Sequence, residues 1–477
     1  MSDTDDGVKA SDSLSNSYLG RLPQELRDEV YKHYFTTRGG YLIDPTTNTL
    51  RAVDGKPINL SLRLTCHAIA KETEGLALQY NTIHATTTEE KRFIWAAYHS
   101  LRVTKGDSFD DHRALVQLSR CITPGVADEI LEGFPQYRDA LQELIANRNR
   151  EGPGRKYMRC TPPTATEAWS TEQRFVSRAV KIMDERLDIP GSLYSALSRL
   201  HLLSLLNTGP EQQAPCWEFQ RKTNPFEIVF SRIDGRPVMG EDKPSSCFSA
   251  AAVAIRFWNA LDPTTRMQIR RFDIDEDRRS RFFPMCHTEG FIPLWQENPK
   301  LRINRRVNLV NTIVEEARQP DRSAWHREHA HHADKLKTLW DWIAEVKALH
   351  AAFVIPKGAF SLKFYSDASP EDTKEVVDVM QEAAAWQMAL DKVAQNGNAG
   401  NTHALGFNYS DYLWDPRGLA WHELQEISKG SSIIKCDFDM GQSVDPKDLY
   451  DGSGRWSHER WNSHCAMNDS NSWRATW

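Results

Sequence analysis

Residues 267–277 read Met-Gln-Ile-Arg-Arg-Phe-Asp-Ile-Asp-Glu-Asp. Phe272 and Ile274 alternate with Asp273 and Asp275, the two-residue period of a strand with one apolar face and two carboxylates on the other. Three more stretches share this character: Phe226-Glu-Ile-Val-Phe-Ser-Arg-Ile233, Phe360-Ser-Leu-Lys-Phe-Tyr365 and Ser432-Ile-Ile-Lys-Cys-Asp-Phe438. Helical spacing falls between them, over about 249–261, 301–319, 329–351 and 371–395. Strands separated by helices of unequal length predict an α+β class, with a mixed domain over residues 165–477. Seven of the 15 Trp (386, 414, 421, 456, 461, 473 and 477) make its end a Trp-rich tail suited to packing or to stacking.

Upstream, residues 1–17 lack apolar periodicity and are expected to be a disordered tail. Residues 18–150 read as mostly helical. Leu22, Leu26, Val30 and Tyr34 recur every four positions after Pro23, a stripe expected to face a core. Turn formers around two short extended pieces predict a hairpin within 39–57. A second helix is expected after Asn59, with Leu62, Cys66, Ile69, Thr73, Leu76 and Tyr80 on one face. Breakers fall at Thr123-Pro-Gly and Gly133-Phe-Pro, and the Gly/Pro-rich 151–164 is the expected linker.

The 477 residues have ordinary globular usage, which excludes collagenous and low-complexity chains. No apolar run approaches the roughly 20 residues of a membrane span, and the polar N-terminus resembles neither a signal nor a transit peptide, so no membrane partner is expected. Eight dispersed cysteines without a CxxC pair suit a reduced, cytoplasmic setting. The net charge of −6 gives no global attraction to nucleic acid.

The segments LGRLPQELRDEVYKHYF and INLSLRLTCHAIAKETEGLALQYNTIH carry Leu22, Pro23, Glu25, Leu26, Arg27 and Tyr31, then Leu64, Thr65, Cys66, Ile69, Glu72, Tyr80 and Asn81. They resemble the F-box-like N-terminus of a group of fungal proteins, mostly of unknown activity. The stretch 248–309 resembles the same group and, within it, is similar to fungal arginine-containing cyclodipeptide synthases. That resemblance implies a secondary-metabolism enzyme that condenses arginine and a second amino acid, delivered as arginyl-tRNA and another aminoacyl-tRNA, into a diketopiperazine. No cofactor is implied, because the aminoacyl ester is already activated. The N-terminal resemblance implies the alternative: an adaptor docking a ubiquitin-ligase scaffold through residues 18–84.

The densest chemistry lies at 266–281. Asp273, Asp275 and Glu276 are the candidate catalytic groups: two carboxylates can grip a guanidinium and a third can take a proton from an attacking amine. Asp277 and Arg270, Arg271, Arg278 and Arg279, with Arg302, Arg305 and Arg306, are the candidate substrate and tRNA contacts. The simpler reading is a self-neutralising surface loop of alternating charge. Asp273-Ile-Asp-Glu276 fits the acidic DxxE-like element the resemblance implies, and so does Asp372-Thr-Lys-Glu375, where an exposed acid pair on a helix needs no special role.

Ser280 lacks a G-x-S-x-G elbow, and Cys286 and His287, as strand neighbours, are expected to point apart. The cluster Trp325–His332 has converging histidine spacings without Cys, and His458-Glu459 meets its next His only at 464, missing the zincin spacing. No metal is expected. Walker A, Rossmann and kinase signatures do not occur, nor does a repeat of 20–50 residues.

Overall fold

The computed structural model describes residues 17–88, 122–146, 169–186, 247–280, 284–314, 332–352, 355–395 and 418–453. Residues 1–16 of the expected tail, the 151–164 linker, the strand at 226–233, the histidine cluster and five of the seven C-terminal tryptophans lie outside these residues or their described side chains.

Helices and a mixed sheet coexist, as expected. The strands are β1 (Tyr41–Asp44), β2 (Thr49–Ala52), β3 (Thr82–Thr86), β4 (Arg271–Glu276), β5 (Arg302–Asn308), β6 (Phe360–Tyr365) and β7 (Ile434–Cys436). They form one seven-stranded sheet in the order β2-β1-β3-β4-β5-β6-β7. Of its strand pairs, only the β1–β2 hairpin is antiparallel, and it closes through Asn48, whose positive φ of 57° suits Asn. The other pairs of the sheet are parallel. The sheet thus crosses the division at 151–164: residues 41–86 supply three strands and 271–436 supply four.

Chain-order parallel strands require crossovers that all step the same way, and right-handed crossovers then lay their helices on one face. That face carries Ile83, Ala85, Phe272, Ile274, Ile303, Val307, Leu362 and Phe364, all buried. The helix Ala250–Ala260 covers β3 and β4. The helices His332–Ala351, Pro370–Gln395 and Leu419–Ser428 cover β5 to β7. The opposite face carries Thr82, His84, Asp273, Asp275, Asn304, Arg306, Ser361 and Lys363, all partly or well exposed.

Two expected helices change. Residues 302–308, expected to be helical, are the strand β5, followed by a π-helix at Leu309–Val314. The second N-terminal helix is split into a 3-10 turn at Ser61–Leu64 and two helices, α2 (His67–Glu72) and α3 (Leu76–Tyr80), with left-handed Gly75 (φ 74°) between them.

The N-terminal motif is a set of braces. From α1 (Gln24–Phe35), Arg27 donates to Glu72 through Nε (3.0 Å) and Nη2 (2.8 Å), and Tyr31 adds its hydroxyl to the same carboxylate (2.7 Å). Buried Asn81 donates to the Phe35 and Ala77 carbonyls (2.6 and 2.8 Å) and the Tyr41 hydroxyl (3.2 Å), and accepts from the Thr37 amide (2.7 Å). Tyr31 and Phe35 form the buried face of α1. The stripe expected to be core is therefore the outer one: Leu26, Val30 and Tyr34 are exposed, and so are Leu60 and Leu64.

Candidate functional site

In a sheet of parallel strands the carboxyl ends share one edge. Here that edge gathers residues from β3, β4, β5 and β6. The Tyr365 hydroxyl donates to Asp275 Oδ1 (2.7 Å). Arg306 lies 4.2 Å over the Tyr365 ring and 3.9 Å from Asp275 Oδ2. Burial pushes the Asp275 carboxyl up, and the Tyr365 hydrogen bond and Arg306 oppose it. Burial and the bond to Asp275 push the Tyr365 phenol up as well. Asn308 donates to Asp367 (2.9 Å) just beyond β6. Asp277 accepts from the Thr87 amide (3.2 Å), the Thr87 hydroxyl and Arg278 Nε (3.1 Å).

One row further back, Asp273 accepts from Asn304 (2.9 Å), which accepts from Ser361 (2.9 Å). His84 Nδ1 lies 3.9 Å from the other Asp273 oxygen. Asp273 and Asp275 share the open face, as the alternation predicts, about 7 Å apart along the strand.

Glu276 is elsewhere. Its position matches Phe272 and Ile274, so it enters the core, where its side chain and that of Arg305 are both fully buried. Arg305 donates to Glu276 Oε1 through Nε (3.1 Å) and Nη2 (2.5 Å), to the Pro284 carbonyl (2.7 Å) and to the Thr288 hydroxyl (2.9 Å). Its guanidinium lies 4.6 Å over the Trp342 ring. Glu276 also accepts from the amides of Ala250 (3.0 Å) and Ala251 (3.3 Å), so it caps the helix that begins there. Neither residue reaches the open face, so the acidic trio is divided and Arg305 is shut off from any phosphate.

The other arginines are divided too. Arg271 and Arg302 pair at the amino edge of β4 and β5, about 16 Å from the carboxyl edge. Arg270 donates to the Met267 and Ile269 carbonyls (2.7 and 3.1 Å), and burial lowers its pKa. Arg278 and Arg306 remain beside the carboxylates Asp277 and Asp275 at the carboxyl edge, and the Arg279 amide donates to the Asn311 carbonyl (2.7 Å).

The chain matches no family model, no curated protein and no solved structure.

Cys286 and His287 lie in a buried 3-10 run, Pro284–Phe291, and His287 Nδ1 lies 2.6 Å from Ser249 Oγ, the cap of the helix at 250. The Ser280 hydroxyl is buried without a hydrogen-bond partner among the described residues. Asp372 forms a capping pair with Ser369 at the start of the helix Pro370–Gln395 (2.7 and 3.1 Å). Among the described residues no group of three His, Cys, Asp or Glu is placed to hold a metal. Sequence reasoning misses Tyr365, Asn308 and Asp367; the parity of Ser361, Lys363 and Tyr365 in a recognised strand is the available signal for the first.

Proposed function

We propose that the carboxyl edge of the sheet takes the cationic side chain of arginine carried on tRNA, and that the chain is a tRNA-dependent synthase joining arginine and a second amino acid into a diketopiperazine. The observation that carries this reading is Asp275: a half-buried carboxylate on the open face, held by Tyr365 and flanked by Arg306. Burial raises its pKa above that of an ordinary carboxylate, which makes it the stronger proton acceptor. Asp273, one pleat away and partly exposed, can pair with a guanidinium from its outer side.

In the first step the α-amine of one aminoacyl ester attacks the ester carbonyl of the other. An amide bond forms, the ester C–O bond breaks, and the amine proton passes through Asp275 to the departing ribose oxygen. The same exchange at the second ester closes the ring and frees the second tRNA. Holding amine and carbonyl within reach of each other supplies most of the rate. The test is expression in a host lacking the compound, with mass spectrometry for an arginine-containing diketopiperazine. Product from the wild type and a loss of roughly 100-fold or more in Asp275→Asn are expected; a folded wild type that makes none overturns the reading.

One observation favours a second reading, an F-box-type adaptor. Leu26, Val30 and Tyr34 follow one another along the exposed face of α1, whose other side is braced by Arg27 and Tyr31, and Leu60 and Leu64 are exposed before and in the 3-10 turn. Such a patch suits a protein interface. Capture of a purified ubiquitin-ligase scaffold by the wild type, lost in Leu26→Glu/Val30→Glu, would support it; equal capture by both would reject it.

A further inference from the structure

The parallel register sets Arg306 of β5 beside Lys363 of β6, and Lys363 beside Lys435 of β7. Three cations thus stand in one transverse row on the open face, neighbours about 4.8 Å apart by strand spacing. Like charges directly opposite each other cost a sheet stability. The described counter-charges are Asp275, 3.9 Å from Arg306 at one end of the row, and Asp437, 3.1 Å from Lys363 in its middle. The Arg306 and Lys363 side chains remain 44% and 41% exposed, and Lys435 is exposed.

We infer that Arg306, Lys363 and Lys435 form a track for the phosphate backbone of an RNA strand, running from the Asp275 cluster towards the β7 edge. This deepens the synthase reading and rests on it: the track would hold the carrier of the amino acid whose α-amine meets Asp275. Asp275 opens the row and three exposed cations follow, Lys363 beside Asp437, an order that suits a ligand with an amine at one end and phosphates beyond it. Lys363 and Lys435 join the site by register alone, and the basic residues at the amino edge do not belong to it.

The experiment is fluorescence anisotropy of a labelled, unacylated arginine tRNA transcript with the full chain over a series of salt concentrations. Each phosphate-neutralising side chain contributes about 0.7–0.9 to the log–log salt slope, so Lys363→Gln/Lys435→Gln should lower it by about 1.5 and weaken binding at fixed salt. Arg302→Gln, at the amino edge, should leave the slope unchanged. An unchanged slope in the double variant, or an equal drop in Arg302→Gln, overturns the track. So does a wild type that binds polyglutamate but not the tRNA, which would mark the row as a surface for an acidic protein. Product assays separate the two ideas. A wild type that makes the diketopiperazine while the lysine variant binds tRNA normally rejects the track alone. A wild type that binds through these lysines but makes no product rejects the synthase alone.

Discussion

Glu276 and Arg305 face each other across β4 and β5 at 2.5 Å, both side chains fully buried, and together they tie the sheet to the start of the helix Ala250–Ala260. Removing one partner strands a charge in the core, so Arg305→Met or Glu276→Leu should each cost about 3–5 kcal/mol. Replacing both by apolar residues should cost much less. Urea denaturation of the two single variants and the double variant measures this.

Asn81 satisfies the ends of α1 and α3 and the start of β1 from a position 2% exposed. Asn81→Ala leaves several buried backbone groups unpaired and should destabilise by about 3 kcal/mol. Calorimetry would detect it as a lowered Tm, with α1 and its neighbours losing hydrogen-exchange protection first.

Asp275 provides a stability test independent of any activity. Its folded pKa lies above the ordinary carboxylate value, so its contribution to stability is fully present below the unfolded pKa and is lost as pH rises through the folded one. Asp275→Asn does not ionise. It should therefore gain stability relative to the wild type as pH rises from the acid side, the gap opening across the carboxylate range and holding at neutral pH. Denaturation at a series of pH values checks the sign.

Tyr365→Phe removes the hydrogen bond that favours the Asp275 carboxylate. The Asp275 pKa should rise further, moving the acid limb of the proposed reaction to higher pH while the fold is retained. A product–pH profile superimposable on that of the wild type would count against Asp275 as the proton acceptor.

Much of this arrangement is legible in the sequence, and the failures share a cause. β6 can be read because Phe360, Leu362 and Phe364 alternate without interruption. β5 reads as a helix because Arg305 occupies an apolar beat of the alternation, where only a non-local partner on β4 makes a charge acceptable. Glu276 joins the catalytic acids by proximity alone, although its parity already assigns it to the core beside Phe272 and Ile274. Apolarity by itself turns the stripe Leu26–Val30–Tyr34 inward, while Arg27 and Tyr31 anchor the opposite side. Asp273 and Asp275 are readable from a single strand. Tyr365, Asn308 and Asp367 reach them only through the parallel register of strands far apart in the chain.

The pairing of β3 with β4 has a consequence for dissecting the molecule. Without residues 17–88, β4 would lose its neighbour and present a bare row of amides and carbonyls, an invitation to self-association. The amino-terminal segment is thus no detachable module, and trimming it away to isolate the remainder would yield a sticky fragment whose silence in any assay would say nothing about the intact chain.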